Sequence, residues 1–192
     1  MMNRRTFVSL SAAALLGAPL AACTTNDGFG SSDPQARRTE IDSGVDAALD
    51  KLYRSVQGAR ELGAKARGLL VFPNVLSAGL FVGGEYGEGA MRTDGATRGY
   101  FSTASGSLGL QAGAQSKAVV FMFMTQDALD GFLKSTGWTA GVDATVALAK
   151  IGANGSLDTN TVRAPVVGFV IANAGLMAGV SLEGTKVSRL PL

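Results

Sequence analysis

Residues 119–124 read Val-Val-Phe-Met-Phe-Met, an uninterrupted apolar run without a charge. Three further short apolar runs occur after Gly68, at Leu69–Phe72, Leu80–Val82 and Val166–Ile171, with Gly, Asn, Asp and Ser between them. Runs of this length that are bounded by turn residues predict β-strands. We therefore expect a curved, mainly antiparallel sheet of about seven short strands, sandwich-like or barrel-like in form.

The segment between Gln35 and Ala66 has a different, helical spacing. Its apolar residues recur every three or four positions and predict one long N-terminal amphipathic helix: Ile41, Val45, Leu49, Leu52, Val56 and Leu62. A second, short helix is predicted around Asp127–Lys134, where Leu129, Phe132 and Leu133 share a face and Gly137 provides a stop. Together these elements predict an α+β fold.

The uncharged stretch from Ala164 to Leu182 is long enough to be considered as a membrane span. It contains Pro165, Asn173 and internal glycines, and its Val and Ile residues favour strands. We therefore interpret it as part of the sheet.

Composition excludes several chemistries. The chain of 192 residues contains no His and one Cys, so imidazole-dependent nucleophiles, imidazole zinc sites and internal disulfides are excluded. The Lys and Arg residues number 17 against 15 Asp and Glu, and the excess of two disappears if Arg4 and Arg5 belong to a removed leader. A near-neutral body disfavours nucleic-acid binding, and we expect no cofactor, no metal site and no catalytic residues.

Arg4 and Arg5 precede an uncharged, mostly apolar stretch from Phe7 to Ala22. This order of charge and then apolar residues is typical of an export signal, and the route, general secretory or twin-arginine, stays open. The stretch ends Leu20-Ala21-Ala22-Cys23, which resembles the lipobox of bacterial lipoproteins. We therefore predict that residues 1–22 are removed and that Cys23 carries the acyl groups, palmitate among them.

Residues 23–34 are small and polar after Cys23 and predict a flexible tether. Its eleven residues from Thr24 to Pro34 reach at most about 36 Å, so the body could contact the membrane that holds it. By analogy with lipoproteins, Thr24 after the cysteine favours the outer membrane, facing the periplasm. Residues 35–192 are then one folded domain.

Basic residues concentrate in the second half of the predicted long helix. The segment from Lys51 to Gly68 contains one acidic residue, Glu61, and five basic residues: Lys51, Arg54, Arg60, Lys65 and Arg67. Bases near a helix C-terminus suit the helix dipole, and the same residues could instead contact anionic lipid headgroups. The sequence leaves both interpretations open.

The pattern Gly-Leu-x-x-Gly occurs three times, at 79–83, 109–113 and 175–179. On a strand, the residues of each copy that lie an even number apart share one face, and that face holds only glycines and one central side chain. Such glycines permit sheet bending or close helix packing. Alternatively, they form a shallow floor for an acyl chain or another ligand, made of Gly79, Phe81, Gly83, Gly109, Gln111, Gly113, Gly175, Met177 and Gly179.

Glu85 and Glu88 lie in a glycine-rich segment and could serve as an acid and base pair or as calcium ligands. Residues three apart on a strand point to opposite faces, so we do not expect the two carboxylates to converge. Asp127 is interpreted as a helix cap, Asp130 as an exposed helix residue and Asp143 as a turn residue. Trp138 is predicted to lie in the core or an interface.

Four separated motifs together resemble the SYLF domain family: residues 64–73, 83–89, 107–116 and 175–184, read as AKARGLLVFP, GGEYGEG, SLGLQAGAQS and GLMAGVSLEG. The resemblance covers roughly Asp42 to Val187. The family includes eukaryotic proteins that bind phosphoinositide membranes, some with actin-linked roles, and many bacterial lipoproteins. The resemblance implies a non-enzymatic module in which the basic helical region contacts lipid.

From these observations we expect a lipid-anchored envelope protein whose SYLF-like domain binds anionic lipid or membrane. The alternative is an envelope scaffold or surface-exposed module that binds a protein partner through the sheet. The two differ in salt dependence, because headgroup binding by basic residues weakens with salt and an apolar interface does so much less.

Overall fold

The computed structural model describes residues 33–79, 82–108, 115–150, 157–158, 163–172, 175–177 and 180–192. Within them lie three helices, α1 (Pro34–Ser55), α2 (Ala59–Lys65) and α3 (Gln126–Lys134). The strands are β1 (Gly68–Gly79), β2 (Val82–Thr93), β3 (Ala96–Leu108), β4 (Gln115–Phe123), β5 (Trp138–Thr139), β6 (Val146–Leu148), β7 (Val166–Ala172), β8 (Gly175–Leu176) and β9 (Lys186–Leu190).

The strands form one sheet in the order β5-β9-β3-β2-β1-β4-β7-β6, with β8 paired to β7. Every pairing is antiparallel except that of β6 with β7. The sheet curls strongly into a half-barrel. The predicted α+β class and the curved, mainly antiparallel sheet are therefore confirmed, although β1, β2 and β3 are longer than the short apolar runs that predicted them.

Each face of the sheet carries its own hydrophobic cluster, because successive strand residues point to opposite sides. On the first face, Val120 and Phe169 pack with the buried residues of α1 and α2. On the second face, Phe121 and Phe123 pack with α3 and Trp138. Trp138 is 2% exposed, so its predicted core position is confirmed.

The predicted continuous helix over Gln35–Ala66 is wrong, because the helix is divided. α1 ends where Val56 takes an extended conformation and stays buried. Gly58 then adopts a φ of 85°, a left-handed conformation that glycine tolerates and most residues do not. The chain therefore turns after α1, and α2 starts in a new direction within the same cluster.

A bulge in β1 sets where α1 rests on the sheet. The pairing of β1 with β2 shifts register between Val71 and Asn74, opposite Gly89. Proline is tolerated at such a bulge because it has no N–H to donate to the ladder, and Pro73 lies there. A Cβ on Gly44 of α1 would lie 3.0 Å from the Pro73 ring, so the helix approaches the bulge closely.

The remaining element predictions have mixed outcomes. α3 is confirmed, but Thr125 caps it by accepting a hydrogen bond from the Ala128 N–H at 3.3 Å. Asp127 is therefore a first-turn residue and not the cap, because the helix begins one residue earlier. The stretch 164–182 contains β7 and β8, which confirms strands there. No helix within the described residues is long and apolar enough to span a membrane.

Candidate functional site

The five predicted lipid-contacting residues lie at the corner between α1, α2 and β1. Lys51 and Arg54 lie near the end of α1, Arg60 and Lys65 lie on α2, and Arg67 precedes β1. Lys51 is partly exposed and the other four are exposed. Within the described part of the chain, none of them forms an ion pair. We call this set the basic corner.

Tyr53 holds part of the basic corner in place, and the sequence patterns did not single it out. Its ring lies under the Arg60 guanidinium, 4.7 Å from the ring centre, at a distance where a cation and an aromatic face attract. A Cβ on Gly63 would lie 2.6 Å from the Tyr53 hydroxyl oxygen. Burial raises the pKa of Tyr53, and the neighbouring Arg60 partly opposes that rise.

The backbone at Arg67 is fixed as well. The Arg67 N–H donates to the Phe123 carbonyl oxygen at 2.7 Å, which joins the end of the corner to the central strand β4. The Ala66 N–H donates to the carbonyl oxygens of Leu62 and Gly63. The backbone at the end of the basic corner is thus held by hydrogen bonds, while the Arg67 side chain remains in solvent.

Only part of the predicted glycine floor falls within the described residues. Gly79 pairs with Gly83 where β1 meets β2, and Gly175 begins β8. Phe81, Gly109, Gln111, Gly113 and Gly179 lie outside the described residues, as does Cys23.

The described parts of the first and third repeats are not on neighbouring strands. In strand order, β1, β4 and β7 separate β2 from β8. Met177 is partly buried and packs against the second hydrophobic cluster, so its side chain contributes to packing. The floor remains a prediction.

Glu85 and Glu88 point to opposite faces of β2, as their spacing predicted. Glu88 faces α1, where it forms an ion pair with Arg37 and accepts a hydrogen bond from the Tyr86 hydroxyl at 2.8 Å. The Arg37 Nε donates to the second Glu88 oxygen at 2.8 Å. Burial and the Glu88 hydrogen bond raise the pKa of Tyr86. Glu88 therefore holds the start of α1 against the sheet.

Glu85 is the centre of a polar row that crosses four neighbouring strands. Its carboxylate accepts from Lys117 Nζ at 2.7 Å, from Ser77 Oγ at 2.9 Å and from Ser105 Oγ at 3.1 Å. Burial acts to raise the pKa of Glu85, but the hydrogen bonds from Lys117, Ser77 and Ser105 and the Lys117 charge lower it overall. The carboxylate is held ionised and its oxygens are already occupied.

A second polar cluster, which sequence reasoning missed, joins α1 to β3. Asp42 accepts from the Thr97 and Tyr100 hydroxyls, each at 2.8 Å. Arg92 of β2 lies 3.4 Å from the Asp42 carboxylate and 3.0 Å from that of Asp46. The hydrogen-bonded and ion-paired residues of this cluster are at least 46 residues apart in sequence, so no local motif predicts the contacts.

Asp130 and Asp143 take part in local hydrogen bonds that stabilise the fold. Asp130 accepts from Gln126 Nε2 at 2.7 Å, and Asp143 accepts from the Thr139 N–H at 2.6 Å in a turn. No three Cys, Asp or Glu side chains among the described residues are grouped so that they could hold a metal ion.

A comparison with protein-family models gives a match over part of the chain. The model of the Ysc84 family, described as "Las17-binding protein actin regulator", matches residues 104–190. This match agrees with the resemblance of the sequence to the SYLF family. The SYLF match runs from the end of β3 through β9 and includes the sequence motifs at 107–116 and 175–184. The motifs at 64–73 and 83–89, and the basic corner, precede the matched residues. No curated protein matches the chain.

Proposed function

We propose that this protein is a non-enzymatic SYLF module that binds anionic lipid and is held at the cell envelope by acyl groups on Cys23. The observation that carries the proposal is the basic corner, which presents its basic side chains to solvent without an ion pair among the described residues. The match of residues 104–190 to the Ysc84 family model supports a lipid-binding module in general terms. The outer membrane, on its periplasmic side, is the proposed location.

The energetics favour joint action of anchor and corner. A basic side chain near an anionic membrane contributes about 1 kcal/mol, so a few such contacts give weak binding that salt screens. An acyl anchor raises the local concentration of the domain at the bilayer. Weak headgroup contacts from Arg54, Arg60, Lys65 and Arg67 then become effective.

The surroundings of the two candidate carboxylates support a role without catalysis. A general base needs a free oxygen within reach of a substrate proton. Both Glu88 oxygens take part in bonds from Arg37 and Tyr86, and Glu85 is held by Lys117 and two serines. These arrangements tie elements of the fold together.

A protein partner is the second candidate, and the family description favours it. The matching model is described by the protein that its members bind and by actin regulation. Here the equivalent would be an envelope protein that docks on the sheet. Binding of that kind need not depend on the basic corner or on anionic lipid.

The test is sedimentation of residues 24–192 with vesicles of neutral or anionic lipid at low and high salt. The test variant changes Arg54, Arg60, Lys65 and Arg67 to Gln. The matched control changes four exposed basic residues outside the corner to Gln: Lys134, Lys150, Arg163 and Lys186. Because residues 24–192 lack the acylated cysteine, any binding comes from the domain itself.

We expect binding to anionic vesicles that weakens with salt, is lost in the corner variant and persists in the control. Equal loss in both variants would mean that only total charge matters. No binding under any condition would favour the protein-partner candidate. In cells, Cys23→Ser is expected to abolish incorporation of labelled palmitate and to release the protein from the membrane fraction.

A further inference from the structure

One edge of the sheet is open along part of β9. Residues 186–190 pair with β3 on one side, but on the other side β5 pairs only with residues 186–187. The chain bends at residues 136–137, just before β5 begins. No described residue pairs with residues 188–190 at that edge. We call residues 188–190 the β9 edge.

An open edge of this kind can accept an extended segment of another chain as an added strand. The unpaired backbone N–H and C=O groups then supply hydrogen bonds. Successive side chains of the added strand point to opposite faces of the sheet. The nature of the occupant therefore depends on the groups that each face presents beside the edge.

Both faces present guanidinium groups beside the β9 edge. On the face toward α3, the Arg189 guanidinium lies 5.5 Å from the centre of the Phe101 ring. On the face toward α1, a cleft of about 730 Å³ is bordered by Leu190, and its lining includes Arg38 and Arg98. Arg189 and Arg38 therefore do not converge on one small ligand. Alternate side chains of a single extended strand, in contrast, point to both faces.

The charge beside the β9 edge favours an acidic occupant. The charged residues of β9 are Lys186 and Arg189, both basic and exposed. Arg38 and Arg189 form no ion pair with another described residue. Arg98 has one ion pair, with Asp94 at 4.0 Å, and both side chains are more than half exposed. Such a pair contributes little, so these basic groups remain available to a partner.

A second copy of this chain fits the β9 edge poorly. Pairing of two β9 edges would bring Lys186 and Arg189 of one copy beside the same residues of the other. Natural edge strands use charged residues to prevent such self-association. Pro191 follows the edge directly and has no N–H to donate, which keeps the open edge short. The edge therefore suits a short segment of opposite charge.

We propose that the β9 edge binds an extended acidic segment of a partner protein as an added strand. The backbone of residues 188–190 pairs with the segment. Acidic side chains of the segment pair with Arg189 on one face and with Arg38 and Arg98 on the other. The proposal gives the protein-partner candidate a specific site, and it does not rest on lipid binding by the basic corner.

The test titrates the full chain in detergent with three short peptides. One alternates Glu with Val, one alternates Lys with Val, and the third has the Glu and Val sequence with methylated backbone nitrogens. We expect the first to bind with a Kd below about 1 mM. The methylated peptide should bind at least about tenfold more weakly, because it has lost its backbone donors, and the Lys peptide should not bind.

Amide NMR signals and hydrogen exchange locate the bound peptide. The amide signals of residues 188–190 should shift on addition of the Glu and Val peptide, and exchange with solvent should slow at this edge. Signals of the basic corner should stay unchanged. These readouts distinguish an added strand from diffuse attraction between charges.

Arg38→Gln with Arg189→Gln should weaken binding of the acidic peptide at least about fivefold, with an unchanged circular dichroism spectrum. The matched control is Lys150→Gln with Arg163→Gln, an equal change of charge beside β6 and β7 at the opposite edge of the sheet. The control should bind the peptide as the unmodified chain does.

Three outcomes would overturn the proposal. Equal binding of the methylated and unmethylated acidic peptides would mean attraction by charge alone. Absence of binding up to about 1 mM would exclude an acidic strand. Protection of residues 188–190 by self-association without peptide would assign the edge to a second copy.

Vesicle sedimentation keeps this proposal separate from the proposed function. The variant with Arg38→Gln and Arg189→Gln should bind anionic vesicles as the unmodified chain does, because the basic corner is intact. Failure of all vesicle binding would contradict the lipid proposal and leave the peptide result as it stands.

Discussion

Gly89 shows how much one residue controls in this sheet. A Cβ built on it would lie 2.0 Å from the Val71 carbonyl oxygen and 2.7 Å from the Phe72 ring. The obstacle is backbone at the β1 bulge and cannot move aside as a flexible side chain would. Glycine at this position allows β1 to carry its extra residue.

We expect Gly89→Ala to lower the free energy of unfolding by about 2–4 kcal/mol, because the added methyl group forces the bulge apart. Gly84→Ala on the same strand is the control, since nothing lies within 4 Å of its added Cβ. Urea unfolding of both variants measures the difference. Equal stability of the two would contradict the geometry at Gly89.

The Glu85 and Lys117 pair gives a pH-dependent prediction at the same scale. Their side chains are each 15% exposed, and the pKa of Glu85 is lowered from its ordinary 4.5 despite burial. The stabilisation is therefore present above about pH 4.5 and is lost as the pH falls through the folded-state value.

Lys117→Met should raise the pKa of Glu85 and cost roughly 1–3 kcal/mol of stability near neutral pH. The loss should shrink as the pH falls through the pKa values of Glu85 in the two proteins, because a protonated carboxyl no longer needs the Lys117 charge. Urea unfolding at a series of pH values checks this, and Glu85→Gln with Lys117→Met should recover part of the loss. A loss that does not vary with pH would argue against the ion pair.

At the scale of elements, α1 is joined to the sheet by apolar and polar contacts together. Ile41, Val45, Ala48 and Leu52 are buried against it. On its polar side, Arg37 pairs with Glu88, and Asp42 accepts from Thr97 and Tyr100. The second set fixes the position of the helix along the strands.

Asp42→Ala should destabilise the fold by about 1–3 kcal/mol, because two part-buried hydroxyls and Arg92 lose their acceptor. Asp50→Ala is the matched control on the same helix, where the carboxylate is exposed. Urea unfolding followed by circular dichroism measures both changes. If Asp50→Ala cost as much, loss of helix charge rather than docking would explain the effect.

The helix boundaries show where the local sequence pattern no longer predicts the structure. The apolar spacing from Ile41 to Leu52 predicted the buried side of α1 correctly, and α3 was found within one residue of its predicted start. The same spacing could not reveal the break at Val56–Gly58. The contacts of Tyr53 with Gly63 and Arg60 stabilise that turn. Those contacts exist only once α2 has packed beside α1.

At the scale of the whole molecule, the two hydrophobic clusters pack on opposite faces of one sheet. Unfolding of the sheet therefore exposes both clusters. Trp138 is the single tryptophan of the chain and lies among Phe121, Phe123 and Phe132 at 5.5–6.0 Å between ring centres. It reports on the second cluster, whereas α1 belongs to the first.

We expect Trp138 fluorescence and helical circular dichroism to change together in urea, as in a two-state transition. The native emission should be blue-shifted because the indole is buried. Separate midpoints would show that α1 leaves the sheet before the second cluster opens, and would refute a single cooperative unit.

The sequence by itself determined the strand character of the runs at 69–72, 119–124 and 166–171, the buried side of α1, the short helix and the separation of Glu85 from Glu88, because residue periodicity and turn residues act over a few positions. The tertiary structure alone decided the helix break and the Asp42 and Glu85 clusters. The Asp42 cluster joins residues 42, 92, 97 and 100, which meet only because strand pairing and helix packing bring α1, β2 and β3 together. Such meetings depend on the summed packing of the whole sheet, which no short stretch encodes.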